Sequence, residues 1–214
     1  QASLGATRHL EAVVVVLVDD GELGAGGAIN KWVTAGNVVH YVAFSACETV
    51  QPPTRRPDVL RSECVSATTA LGIASDRCRV LDFEVRRFSR DRQEILDAMV
   101  KLNKELRPSL VVAPSLNDTH QDHAVIASEA RRAFKGTSIL GYELPWNNFR
   151  FEYTAFVVLE RSNVLAKCDS LAEYHSQSER AYMSRDYQEA LLKSRGLQVG
   201  AEFAECFEVV RWYL

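Results

Sequence analysis

The stretch Glu11-Ala12-Val13-Val14-Val15-Val16-Leu17-Val18-Asp19-Asp20-Gly21-Glu22-Leu23-Gly24-Ala25-Gly26-Gly27 decides the fold. Its first eight residues read as a strand buried on both faces, because no position in the run from Ala12 to Val18 is polar. Two adjacent carboxylates, a third two places on and a glycine-rich turn follow at once, and Gly26–Ala35 reads as a helix. Strand, tight turn and helix together form the opening of a βαβ unit. The glycines allow a tight turn and a close approach of the helix start. Their order departs from G-x-G-x-x-G, and three acids would repel a pyrophosphate, so a nicotinamide dinucleotide is excluded.

Further along, the alternation continues. Val38–Phe44 is the next strand, and a loop with Pro52, Pro53 and Pro57 leads to Asp58, which caps a helix ending at Leu71-Gly72. Arg79–Phe83 is a short strand. Asp91–Leu106 is an amphipathic helix with Ile95, Leu96, Met99, Val100 and Leu102 on one side, stopped before Pro108. Leu110–Ala113 and Ser138–Gly141 are strands around a helix from Gln121 to Phe134. The last third reads as a strand (Phe151–Leu159), two helices (Ser162–Tyr174, Ser178–Ser194), a turn at Gly196–Gly200 and a strand at Phe203–Val210. Strands separated by helices imply right-handed crossovers and an α/β fold, Rossmann-like, with a mainly parallel sheet and helices on both faces. No repeat or linker divides residues 1–214, so one domain is expected.

Composition narrows the function. The net charge of -3 offers no electrostatic footprint for nucleic acid. No apolar run reaches the 18 or so residues of a membrane span, and the start lacks the basic and apolar regions of a secretory signal. Cys47, Cys64, Cys78, Cys168 and Cys206 are scattered without a C-x-x-C pair, which argues for reduced thiols and a cytoplasmic location rather than a zinc ribbon or disulfide framework. Cys47, just past a strand end, is a small buried residue before it is a nucleophile. His9, His40 and His175 have no partners in the sequence and are structural or exposed.

A second polar cluster, Asn117-Asp118-Thr119-His120-Gln121-Asp122-His123, sits where a loop becomes a helix. Histidines three apart face roughly the same way at a helix start. One is suited to bind a metal and the other to donate a proton or hold an oxyanion, with Asp122 orienting a ring. A polar cap with two solvated histidines is the bland alternative. Both clusters follow strands, and ligands in such sheets sit beyond the carboxyl ends, so the two should meet on one rim.

Together the clusters resemble the LmbE/PIG-L family of metal-dependent N-deacetylases, which act on N-acetylglucosamine-type amino sugars. Weaker matches extend through Glu63, Leu71-Gly72, Ser176-Gln177, Arg195-Gly196 and Ala204-Glu205-Cys206-Phe207. The resemblance implies Asp19 as the base that activates water, and Asp20 and His123 as metal ligands. It also implies His120 as the oxyanion or leaving-group partner. The family pattern is His-x-Asp-Asp, and its histidine is a ligand; here Leu17 stands in that place. The implied cofactor is therefore zinc or another divalent metal, weakened or absent. Three readings stay open: a catalytically silent sugar-binding relative, a hydrolase whose ion recruits Glu22 or oxygen ligands, and an altered form of an ordinary deacetylase.

The implied partner is an amino sugar or its conjugate; homo-oligomerisation stays open. Arg55 and Arg56 are candidates for a phosphate on that conjugate, or a solvated charge pair. Tyr142 and Trp146, after a strand at the same rim, are candidates to stack on a sugar ring. Asn147 or Asn148 would bond its hydroxyls, with ordinary packing of Trp146 as the alternative.

Overall fold

In the computed structural model, which describes residues 10–50, 56 and 58–213, the strands are β1 (Glu11–Val16), β2 (Val38–Ala43), β3 (Cys78–Val80), β4 (Leu110–Pro114), β5 (Ser138–Tyr142), β6 (Ala155–Leu159) and β7 (Phe203–Arg211). The helices are α1 (Asp20–Thr34), α2 (Val59–Ala70), α3 (Arg92–Leu106), α4 (Gln121–Ala133), α5 (Arg161–Ala172) and α6 (Arg185–Leu197). The strands form one sheet in the order β3-β2-β1-β4-β5-β7-β6. The first five run parallel, and β7 is antiparallel to both β5 and β6. The fold is thus α/β with a mostly parallel sheet.

Strand β1 explains why both faces are covered. Ala12, Val14, Val16 and Val18 enter one apolar core with Leu23, Ala28 and Ile29 of α1 and Leu60, Cys64 and Ala67 of α2. Val13, Val15 and Leu17 enter a second core with Ile95 and Met99 of α3 and Ile126 and Ala130 of α4. The side-chain period of two in a strand sends alternate valines to opposite layers.

After β1 the chain builds outward through β2 and β3, then returns to place β4 on the other side of β1. The strand order therefore reverses between β1 and β4. That switch opens a crevice beyond their carboxyl ends, and both polar clusters lie there.

The glycine-rich segment differs from the sequence expectation. Helix α1 begins at Asp20, and Asp19 caps it in a left-handed conformation (φ 68°). Gly21, Gly24, Gly26 and Gly27 lie inside the helix, and none has a positive φ. Close packing requires them: a Cβ on Gly24 would collide with the Tyr142 ring, and one on Gly27 with the Leu159 side chain. The acidic residue Asp19, rather than a glycine, takes the strained turn. The second difference is at α6, which starts at Arg185 with the Ser184 hydroxyl accepting from the Tyr187 N–H. Two short 3-10 turns precede it, at His175–Gln177 and Ala181–Met183.

Candidate active site at the switch point

A cavity of about 600 Å³ opens at the crevice. Leu17, Asp19 and Asp20 from the β1–α1 junction and His120 and His123 from the start of α4 form its inner wall. Arg86, Trp146, Asn147, Gln177, Arg180 and Tyr182 form its outer parts.

The start of α4 is built by short side chains. Asp118 accepts the His120 N–H through Oδ1 at 2.7 Å, and His120 Nδ1 accepts the Asp122 N–H at 3.2 Å. These bonds satisfy orphan donors of the first helical turn. Because Nδ1 of His120 is an acceptor, its neutral ring carries the proton on Nε2. Burial, then the neighbouring His123 charge, lowers the His120 pKa, which keeps that ring neutral. The two imidazoles lie 4.4 Å apart between centroids.

His123 is almost fully buried and spans two carboxylates. Its Nδ1 is 2.8 Å from Asp118 Oδ2, and its Nε2 is 2.9 Å from Asp20 Oδ2. Burial alone would lower its pKa, but the Asp20 charge and the bonds to Asp118 and Asp20 outweigh it and lift the pKa to about 10.

Asp19 is buried 3.6 Å from the Arg180 guanidinium. Desolvation and the adjacent Asp20 charge raise its pKa well above the usual carboxylate value, with Arg180 acting in the opposite direction. Its backbone is held from behind. The Asp19 N–H donates to the Tyr174 hydroxyl at 3.1 Å, and that hydroxyl donates to Glu22 at 2.9 Å. Glu22 also bonds Tyr41 and is fully buried, so it faces this pair of tyrosines and not the cavity. Burial, against the Tyr41 bond, pushes Glu22 to about 7.

Several expected residues have other tasks. The Asp122 carboxylate accepts the Arg86 N–H at 2.5 Å, where Arg86 takes a φ of 68°. The carboxylate on the histidine ring is instead that of Asp118, a member of the second cluster to which the motif assigns no role. Tyr142 has no exposed surface; it points from β5 into the core under Gly24, so it cannot stack on a ligand. Arg56 is exposed and turned onto Asp58 at 2.5 Å, away from the cavity wall. Arg55 lies outside the described residues. Trp146 and Asn147 do line the cavity, and Trp146 stacks on Tyr182 with centroids 4.1 Å apart. Asn148 accepts the Leu144 N–H and shapes that loop.

Arg86, Arg180 and Tyr182 are not legible from sequence, since each comes from an irregular segment that only the fold brings to the crevice. Glu63 and Ser176 carry a weak signal, and the structure joins them: both Ser176 N–H and hydroxyl donate to the Glu63 carboxylate, at 2.9 and 2.6 Å. Cys47 also lines the cavity, but burial and the charges of Asp19 and Asp20 push its thiol up to about 12, which disarms it as a nucleophile.

A catalytic zinc ion uses three protein ligands and keeps one position open. Asp20 and His123 supply one carboxylate and one imidazole, their inner neighbour Leu17 supplies none, and Glu22 is tied to tyrosines. Among the described residues no three His, Cys, Asp or Glu side chains are grouped to hold an ion. The residues present do not fit a three-ligand zinc centre.

Comparison with known proteins places this arrangement. No curated protein sequence matches the chain. Among solved structures, the conserved protein TT1542 from Thermus thermophilus is similar at 22% identity, with 96% of each chain covered and a TM-score of 0.78. An N,N'-diacetylchitobiose deacetylase from Pyrococcus horikoshii is similar at 16% identity over 95% of this chain and 84% of that one (TM-score 0.75). A 4-carboxy-2-hydroxymuconate hydratase, GalB from Pseudomonas putida, is similar at 19% identity over 96% and 98% (TM-score 0.75). At such identities these likenesses establish the fold, and their different chemistries leave the reaction to the site. The family model described as PIG-L, GlcNAc-PI de-N-acetylase, matches residues 18–134, more than half of the 214-residue chain and both polar clusters. By that match, the chain belongs to the PIG-L family.

Proposed function

We propose that this protein removes an acetyl group from an N-acetylated amino sugar or its conjugate. The observation that carries the reading is the pairing, in one cavity, of a buried carboxylate of raised pKa, Asp19, with a neutral imidazole whose tautomer is fixed, His120. A general base is effective when its pKa approaches the working pH, and a donor must hold its proton there.

Asp19 takes a proton from water as the water oxygen bonds to the acetyl carbon. The Nε2–H of His120 donates to the oxygen on which negative charge develops. Asp19 then returns its proton to the nitrogen as the carbon–nitrogen bond breaks, giving a free amine and acetic acid, which ionises to acetate. The Trp146–Tyr182 pair offers an apolar face for a sugar ring, Asn147 and Gln177 offer hydroxyl partners, and Arg86 offers a cation to an acidic conjugate. All five cysteines are outside disulfides, which supports a reducing, cytoplasmic setting.

The test is acetate release from a panel of N-acetylated hexosamines, free and nucleotide-linked. Release that drops at least about 100-fold in both Asp19→Asn and His120→Gln supports the reading. A second reading, a silent sugar-binding relative, is favoured by the incomplete donor set. It predicts saturation-transfer NMR contact with the same panel and no release. Neither contact nor release would contradict both.

A further inference from the structure

The inner end of the cavity is closed by an apolar side chain. Leu17, 3% exposed, is seated in the core between β1 and α3/α4 with Phe44, Val85 and Phe88, yet it shares the cavity wall with Asp20 and His123. Both ring nitrogens of His123 are already taken. Asp118 Oδ2 holds one ring nitrogen of His123 and Asp20 Oδ2 the other, at 2.8 and 2.9 Å. Asp118 is in turn fixed by the His120 N–H at 2.7 Å. The leucine side chain has no donor atom and presents an apolar surface beside the Asp20–His123 pair.

We propose that this protein keeps no resident zinc: Leu17 is the residue that excludes the ion, and the hydrogen-bonded Asp118–His123–Asp20 array stands in its place. A carboxylate–imidazole pair with an aliphatic neighbour falls one donor short of a catalytic site, and a leucine carries no lone pair to make up the difference. The array leaves the acetyl group to be held by hydrogen bonds alone. It also keeps the Asp20 carboxylate, which flanks Asp19, tied to an imidazole. This inference concerns the donor set and not turnover, so it can fail or stand independently of deacetylation.

The experiment is zinc affinity of the full chain, read by competition with a chromophoric chelator, for the parent, Asp20→Ala, Leu17→His and Leu17→Cys. Parent and Asp20→Ala should differ by less than about threefold. Leu17→His should bind at least about 100-fold more tightly than the parent, a gain of about 2.8 kcal/mol, and Asp20→Ala added to it should abolish that gain. Leu17→Cys supplies a smaller donor should the histidine not fold, and should also tighten binding. One zinc per parent chain, weakened about tenfold or more by Asp20→Ala, would overturn the proposal. So would folded Leu17 variants that gain nothing, because Leu17 would then not be the missing ligand.

Discussion

At the scale of single residues, the site is a set of buried charges whose pKa values are pulled apart by their surroundings. Glu22 offers a test of this that is independent of catalysis. Its carboxyl titrates near 7 in the fold and near 4.5 when unfolded, so between those values the unfolded chain has lost a proton that the native one keeps. Stability from Glu22 is therefore complete below about pH 4.5 and lost as pH rises toward 7, by about 3 kcal/mol at 1.36 kcal/mol per unit. Glu22→Gln should erase that loss. In urea unfolding at about pH 4.5 and 7.5, the parent should fall relative to the variant by roughly that amount, and parallel curves would refute the assignment. Arg180 offers a second test. Its charge lowers the Asp19 pKa, so Arg180→Gln should move the acidic limb of kcat/KM to higher pH, and the shift should shrink in high salt because the guanidinium is half exposed. At this scale the sequence shows residue types better than partners. Asp19, Asp20, His120 and His123 are legible because two motifs follow two strands. The role of Asp118 is not, since an Asx turn decides which of two nearby acids reaches a ring five residues on.

At the scale of elements, α1 joins the site to the core. Its mid-helix N–H groups of Gly27 and Ala28 donate to the buried Glu205 at 2.9 and 2.7 Å, and Lys167 bonds both Glu205 and the Leu23 carbonyl. Its glycines let Tyr142 and Leu159 press against the helix backbone. Gly24→Ala should accordingly destabilise the protein by about 1–3 kcal/mol, because overpacking against the Tyr142 ring outweighs the gain in helix propensity of up to about 1 kcal/mol. Gly136→Ala, where a Cβ meets nothing within 4 Å, is the control and should leave the urea midpoint nearly unchanged. Elements with a strong pattern are legible to within a residue or two: α3 from its apolar stripe, β1 from its unbroken valines. The glycine segment reads as a turn and folds as a helix, because a glycine run signals both freedom of φ and close approach, and only the neighbours across the interface tell them apart. The start of α6 is hidden because Ser178 and Ser184 are both plausible caps, and tertiary contacts choose the second.

At the scale of the whole molecule, the reversal of strand order between β1 and β4 assembles the site from motifs about a hundred residues apart. That much follows from alternating strands and helices. The placement of β7 between β5 and β6 does not, since antiparallel insertion at a sheet edge leaves no mark in local pattern. Nor does the outer wall, which is drawn from loops after β3, β5 and α5. The central claim is that this crevice cleaves an N-acetyl group with Asp19 as base and no ion in attendance. Its most direct measurement is acetate release from the N-acetylhexosamine panel in excess chelator, by the parent and Asp19→Asn side by side. The account predicts that the parent's rate is unchanged by the chelator and that Asp19→Asn loses it at least about 100-fold. Release that stops on chelation, or that Asp19→Asn retains in full, would contradict it.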